Sequence, residues 1–298
     1  RLPARIDWTS YVINTETPAV TSDGYAFFTS LNREGNFLHL KGGVLGIAEN
    51  FNSELGFYRR TGVVKWSLDT GIRPRFASLR RLGVREMHPH VVWGHYTDFN
   101  GDVVAGRYHN GYSIFFNNGA FTELSFNPRS DLLTQPFVLH PDVPPIPAGR
   151  YDWPEYQFRF TSDASRALSG AITAIFGGLW NGSQRTVSTS VTVKTSYQFR
   201  ATLALQRTAG DLEGPDNTFV REIWTGRANY SLNTNMFVDA LVQYDADRRN
   251  LNMNVRLNLI HHPLSNLYLV WNEQRFTTDG APVPGRSLIV KVTQMLAF

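Results

Sequence analysis

Polar side chains recur at every second position in several segments of the 298-residue chain, and these are the residues whose types could do chemistry. Between residues 251 and 260, Asn252, Asn254, Arg256 and Asn258 alternate with leucine, methionine and valine. Side chains with a period of two lie on one face of a β-strand. A face of arginine, aspartate and asparagine could line a water-filled passage and select solutes by charge.

Other segments extend this pattern and give a set of residues predicted to line a lumen and set its selectivity: Lys65, Asp69, Arg73, Arg159, Lys194, Arg200, Arg227, Asp239, Asp245, Asn254, Arg256 and Lys291. Bases outnumber acids in this set, which favours anionic or polyhydroxylated solutes. The alternative is that these charges pair across the wall and only solvate a plugged interior.

Histidines offer a second kind of chemistry. His88 and His90 lie two apart and share a strand face, whereas His261 and His262 are adjacent and point to opposite faces. Neither pair has a nearby carboxylate at a recurring metal-ligand spacing, so the sequence predicts structural or rim positions for them. We therefore expect no metal site and no cofactor.

Acid and base catalysis is the third option. Asp239 and Asp245 could act as a pair in a barrel-borne hydrolase, but nothing in the sequence fixes their separation. A serine, histidine and aspartate signature is not visible, and the chain has no cysteine for thiolate chemistry. The sequence thus predicts a protein that is not an enzyme.

Strands must position all of these residues, because alternation dominates the whole chain. No run of 18 or more apolar residues appears, which excludes a membrane-spanning helix. Segments between turn residues predict about 16 strands: 4–15, 23–33, 36–48, 62–74, 86–98, 102–116, 119–127, 152–162, 167–178, 184–195, 197–208, 217–231, 235–246, 250–261, 266–277 and 286–298.

The connections alternate between long and short, which is typical of outer-membrane barrels. The longest is a proline-rich loop over 128–151. We therefore predict an all-β fold, a transmembrane antiparallel β-barrel that occupies residues 1–298 as one domain in the bacterial outer membrane. A soluble sandwich would also alternate, but its buried faces would be rich in large apolar residues, whereas alanine, glycine and threonine are frequent here.

The final segment, 286–298, is an amphipathic strand that ends on Phe298. A terminal phenylalanine of this kind resembles the carboxy-terminal signal with which bacterial outer-membrane proteins engage the barrel assembly machinery. Phe298 is therefore predicted to be the assembly signal.

Several stretches resemble one bacterial family. They are "NFNSELGFYRRTGVVKWS" (50–67), "IPAGRYDW" (146–153), "FTSDASRALSG" (160–170), "MFVDALVQYDADRRNLNMNVRLNLIHHPLSNLYLVWNE" (236–273) and the closing "SLIVKVT". In that family an amino-terminal carbohydrate-binding-like domain of the family 9 type precedes an outer-membrane barrel of unknown function, and the binding domain is absent from these 298 residues. The resemblance implies a barrel and an outer-membrane location, but no activity.

The leading functional hypothesis is a porin-like passive channel for hydrophilic solutes. The alternative is a blocked barrel that anchors or helps assemble another surface protein. Expected partners are membrane lipid and the barrel assembly machinery, with a homo-oligomer or a surface protein left open. The net charge of +4 comes from scattered bases, so nucleic acid is not expected.

Overall fold

The computed structural model describes residues 5–295 except 17–23, 54, 55, 57, 59, 216, 279 and 281. Phe298 lies outside the described residues, so its role in assembly stays a prediction. The chain divides into two compact units: the first comprises Arg1–Phe158, Phe176–Ser183 and Asp211–Asn217, and the second Arg159–Ile175, Gln184–Gly210 and Thr218–Phe298.

The first unit contains nine complete strands and one short helix among its described residues. They are β1 (Arg5–Thr15), β2 (Gly24–Glu34), β3 (Leu38–Ile47), β4 (Val63–Ile72), α1 (Ala77–Arg80), β5 (Val84–Thr97), β6 (Val103–Phe116), β7 (Phe121–Phe126), β8 (Arg129–Leu133) and β9 (Gly149–Trp153). Strands β1 to β6 pair in sequence order, and every pairing is antiparallel.

Nine more strands follow in the described part of the chain: β10 (Glu155–Thr161), β11 (Leu168–Leu179), β12 (Gly182–Lys194), β13 (Phe199–Asp211), β14 (Thr218–Ser231), β15 (Met236–Asp245), β16 (Asn250–His262), β17 (Ser265–Phe276) and β18 (Gly285–Thr293). Strands β14 to β18 lie entirely in the second unit and pair antiparallel with their sequence neighbours. Turns of two to four residues connect β14 to β15, β15 to β16 and β16 to β17, whereas the connection from β17 to β18 spans 277–284. Each pairing joins strands that follow one another in sequence.

All 16 predicted strands are present, but the prediction of one long loop over 128–151 is wrong at both ends. Strand β6 pairs first with β7 and then with β8, so these two strands follow one another along the same edge. Pro128 lies between them and has no N–H to donate, although its carbonyl accepts a hydrogen bond from the Tyr108 N–H. Proline in the sequence therefore marked an interrupted strand, and the true connection spans only 134–148.

This shorter connection is itself folded. Phe137 and Ile146 form an isolated β-bridge, and Ile146 is only 1% exposed. The Phe137 ring lies 5.4 Å from the Trp180 ring, which lies 5.4 Å from Trp153. The loop is thus anchored within the first unit by an aromatic row.

Trp180→Ala should loosen this anchor, because it removes two ring contacts and leaves Phe137 without its partner. We expect a loss of about 2 kcal/mol in unfolding free energy, since the indole is only half-buried. Faster protease cleavage within 134–148 and a lower midpoint of heat-modifiable gel migration would both report it. Tyr197→Ala is the matched control because that ring is 96% exposed; equal effects of the two changes would contradict the anchor.

The strands have one apolar and one polar face, and the apolar face carries exposed side chains. Val191 of β12 is 50% exposed, Leu203 of β13 is 56% and Val290 of β18 is 62%. A soluble sandwich buries this face against a second sheet. A large exposed apolar wall is unfavourable in water, whereas hydrocarbon removes that cost. None of the described helices is long and apolar enough to span a membrane.

A tight turn joins β10 to β11 outside the strands. The Ser165 side chain and backbone N–H both donate hydrogen bonds to Asp163, and Arg166 lies 3.1 Å away. The hydrogen bond from the Ser165 hydroxyl, with that of its backbone, lowers the pKa of Asp163 below its ordinary value. Lys194 donates to the Ala164 carbonyl, which ties the end of β12 to the same turn.

Candidate functional site

The register of the second unit places the predicted polar residues on one face. Asn229 pairs with Asp239, and Asp239 pairs in turn with Arg256. Arg227 pairs with Leu241, which pairs with Asn254. Directly paired residues of antiparallel strands share a face. The register therefore brings these side chains onto one face, as the alternation in the sequence predicted. That this face lines a lumen stays a prediction.

Five of the predicted residues meet in one recess of about 1010 Å³ on this polar face. They are Arg200, Arg227, Asp239, Asn254 and Arg256, and small or neutral side chains such as Ser190, Thr192 and Thr202 line the rest. Three arginines against one carboxylate leave a surplus of two positive charges. The surface of the recess is therefore suited to attract anions.

Only part of this charge is neutralised by a partner. An Arg256 Nη lies 2.9 Å from Asp239 Oδ2, and Asn229 donates to the other Asp239 oxygen at 2.7 Å. Arg200 and Arg227 are exposed, and neither has a hydrogen bond or ion pair with any described residue. These two guanidinium groups can thus contact a solute without first breaking a protein contact.

The other predicted residues of the second unit lie away from this recess. Asp245 ends β15 and lies 3.6 Å from Arg221. Arg159 on β10 is exposed, and Lys194 is held by the β10–β11 turn. Lys291 on β18 pairs in register with Tyr268 and is also exposed.

The positions of Asp239 and Asp245 bear on the hydrolase hypothesis. They lie six residues apart on one strand, which separates them by about 20 Å. Carboxylate pairs that share acid and base work, as in glycosidases, lie roughly 5 to 9.5 Å apart. Since Asp239 is also paired with Arg256, these two aspartates are not placed as an acid–base pair.

In the first unit, Lys65, Asp69 and Arg73 share the polar face, but each has a different partner. The Lys65 ammonium lies over the Tyr96 ring at 5.5 Å. Asp69 Oδ1 lies 3.0 Å from His39 Nε2, and an Arg73 Nη lies 2.7 Å from Glu34. These three residues therefore do not form one group, and local partners hold them apart.

A cluster of histidines next to Asp69 is the feature that the sequence analysis missed. The His88 and His90 rings stack at 4.4 Å, and His39 and His88 lie 5.0 Å apart. His90 Nε2 lies 3.1 Å from His109 Nε2. Glu123 lies 3.8 Å from both of these nitrogens, so the expectation that no carboxylate accompanies His88 and His90 is wrong.

Hairpin register was the signal that could have revealed this cluster. Short turns at 98–102 and 117–120 fix the pairings of β5 with β6 and of β6 with β7. His90 pairs with Gly111 and Ser113 with Glu123, so residues far apart in sequence become neighbours. A search for ligand spacing along the chain overlooks such a site, because its ligands come from three strands.

Known proteins resemble the chain in fold but not in sequence. No family model and no curated protein matches the chain. A crystal structure of a ferric enterobactin receptor mutant from Pseudomonas aeruginosa is similar, with a TM-score of 0.50 and 9% identity over 92% of this chain and 54% of the receptor chain. This chain therefore spans about half the length of that receptor.

That likeness, together with the antiparallel strands and the exposed apolar face, decides the fold. The chain has the fold of a bacterial outer-membrane β-barrel. Its location follows from the fold, because such barrels span the outer membrane with their strands.

Two further outer-membrane proteins match with lower scores. A loop-deletion form of OmpT from Vibrio cholerae has a TM-score of 0.42 at 9% identity and covers 82% of this chain and 94% of its own. OmpF of Salmonella typhi in complex with daunomycin has a TM-score of 0.37 at 9% identity and covers 80% and 90%.

Proposed function

We propose that the protein is a passive, porin-like channel for hydrophilic solutes and that it prefers anionic ones. The observation that supports this most directly is the recess of the second unit, where Arg200 and Arg227 are exposed and have no partner among the described residues. Rings of basic side chains are a common means of anion selection in pores. Passage requires no covalent chemistry, which agrees with the wide separation of Asp239 and Asp245.

The rest of the polar face supports the same proposal by its neutral hydrogen-bonding groups. Asn254 donates to Asn272 at 2.6 Å, and Asn272 donates to Ser287 at 3.2 Å, which extends a polar ladder across β16, β17 and β18. Amide and hydroxyl groups exchange hydrogen bonds with sugar-like solutes without fixing them by charge. Polyhydroxylated solutes are therefore the second class we expect.

One observation favours the alternative, a blocked barrel that serves as an anchor for another surface protein. The polar face of the first unit is densely packed: Ser113 is 1% exposed, Asn127 2% and Asp131 3%. Asp131 contacts Arg60 and lies 3.7 Å from Arg107, and Arg129 lies 2.9 Å from Glu155. A network of this kind could fill the interior instead of lining a passage.

Conductance separates these two functions. The purified protein in a planar lipid bilayer should show steady ion currents with a reversal potential that favours chloride. A protein that assembles into the bilayer but carries no current over a wide range of voltage would contradict the channel. Co-purification of a stoichiometric surface protein would then support the anchor.

We also propose that the chain belongs to the family whose barrel follows a carbohydrate-binding-like domain of the family 9 type. The support comes from the motifs between 236 and 273, which form β15, β16 and β17 of the second unit. The proposal treats residues 1–298 as one barrel domain that is assembled through Phe298. Lipid and the assembly machinery are its proposed partners.

A further inference from the structure

The histidine cluster of the first unit has the composition of a metal site. Imidazole nitrogens of His90 and His109 and the carboxylate of Glu123 lie within 4.8 Å of one another. The His90 and Glu123 side chains are each only 10% exposed, and that of His109 is 28% exposed. Two imidazoles and one carboxylate form a ligand set used by zinc and by other divalent first-row metals.

Hydrogen bonds at Nδ1 of His90 and His109 determine that Nε2 of each ring faces the other ligands. His90 Nδ1 lies 2.9 Å from the His88 carbonyl oxygen, which can only accept. His109 Nδ1 lies 2.8 Å from the Asn127 side-chain oxygen, while the amide nitrogen of Asn127 donates to Glu155. Each ring therefore carries its proton on Nδ1 and directs the lone pair of Nε2 towards the other ring.

Three electron-pair donors then face one another. The two Nε2 atoms lie 3.1 Å apart, and each lies 3.8 Å from Glu123. Two acceptors at this distance repel each other unless a cation lies between them. The cation is either a proton on one ring or a metal ion bound by all three groups.

The 3.1 Å separation of the two Nε2 atoms fits either cation, since an N–H···N hydrogen bond also has about this length. Zn–N bonds of 2.0–2.1 Å place two ligand nitrogens about 3.1 Å apart when the angle at the metal is about 100°. The Glu123 oxygens need to approach by only about half an ångström to complete the set. Ser113 donates to Glu123 at 2.6 Å and orients that carboxylate, as outer partners of metal ligands commonly do.

The backbone also leaves room for this arrangement. A Cβ at Gly111 would lie 2.5 Å from His90 Cε1 and 2.7 Å from His109 Nε2. A Cβ at Gly71 would lie 2.6 Å from His90 Cβ. Only glycine at these two positions lets the rings converge from neighbouring strands.

We propose that His90, His109 and Glu123 bind one divalent transition-metal ion of the zinc class. The three ligands come from β5, β6 and β7, so the ion joins three neighbouring strands on the polar face. His88 stacks on His90 and its Nε2 is buried without a hydrogen-bond partner among the described residues. A fourth coordination position is left for water or for a solute, as in open zinc sites.

Titration of the full-length protein in detergent, stripped with EDTA, tests the site. Isothermal calorimetry with Zn²⁺ should show one tight site, and Co²⁺ should give the visible absorption of a low-coordinate ion. His109→Ala and Glu123→Gln should each weaken binding by more than the roughly 10- to 100-fold typical for loss of an outer partner. Gly111→Ala should weaken it as well, although it removes no ligand.

Matched variants show whether the effect is local. His95 lies on the same strand, but its ring nitrogen contacts the Tyr108 hydroxyl on the other face, so His95→Ala should leave binding unchanged. Gly42→Ala is the control for Gly111→Ala, because a Cβ there meets only one atom, at 3.9 Å. Heat-modifiable migration of each variant shows that it is folded.

Two results would overturn the proposal. The first is a wild-type protein that binds neither Zn²⁺ nor Co²⁺ more tightly than about 100 µM, which would assign a proton to the centre. The second is wild-type binding that His109→Ala and Glu123→Gln do not change, which would place the metal elsewhere. The wild-type titration decides the first result even if a variant fails to fold.

Discussion

Val255→Arg should strongly reduce the stability of the protein in lipid vesicles. Val255 pairs with Ala240 and Trp271 on the apolar face of β16, near the middle of that strand. A charged side chain on the lipid face at the bilayer midplane costs about 2–4 kcal/mol. The fraction of unfolded protein should therefore rise by roughly 30- to 700-fold. Urea titration of tryptophan fluorescence in vesicles measures this change.

Asn252→Arg is the matched control on the same strand. Asn252 pairs with Gln243 and Gln274 on the polar face, where a guanidinium group remains in water. We expect a change of less than about 1 kcal/mol, as is usual for exposed substitutions. If both substitutions lower the free energy of unfolding equally, or if Asn252→Arg lowers it more than Val255→Arg does, the assignment of the two faces is wrong.

The double variant Arg200→Glu, Arg227→Glu should invert the charge preference of the channel. The recess changes from two surplus positive charges to two surplus negative charges, since Arg256 and Asp239 are kept. The interaction energy between a unit charge and a monovalent ion about 10 Å away in water is about 0.4 kcal/mol. Four units of change amount to about 1.7 kcal/mol, which alters the chloride-to-potassium permeability ratio by more than tenfold.

Reversal potentials in a potassium chloride gradient measure this ratio. Arg166→Gln is the control, because it removes a positive charge from the β10–β11 turn, where Arg166 pairs with Asp163 outside the recess. The control should leave the ratio unchanged. A double variant that keeps the wild-type reversal potential would show that ions do not pass the recess.

The sequence was sufficient to predict most of the strands and which of their side chains share a face. Alternation in 251–260 assigned Asn254 and Arg256 to the polar face, and the register with β15 and β17 confirms that assignment. This succeeds because an antiparallel strand repeats every two residues and its register seldom slips when one face is apolar. Arg200, Arg227 and Asp239 were placed on one face by the same reasoning.

The strand breaks were not predictable from alternation. Pro128 and Pro154 both interrupt a ladder, yet the chain continues on the other side as β8 and β10. Proline in a sequence indicates a loop as readily as an interrupted strand, because both lack the same backbone hydrogen bond. The contact of Phe137 with Trp180 depends on tertiary packing, and local patterns contain no information on it.

The histidine site was hidden for a different reason. His90, His109 and Glu123 are separated by 14 or more residues, and only the pairing of three strands brings them together. Gly111 was a usable sign, since glycine within a strand often marks a close approach of other groups. That sign becomes specific only when the register shows that Gly111 pairs with His90.

Solvent accessibility along β16 tests the central claim most directly, namely that lipid covers the apolar face and water the polar face. The chain has no cysteine, so single cysteines at 251–259 can each carry a nitroxide label without background. In vesicles, collisions with oxygen should be frequent at 251, 253, 255, 257 and 259, and collisions with a water-soluble nickel complex should be frequent at 252, 254, 256 and 258. Accessibility without a period of two, or with the two sets exchanged, would contradict the claim.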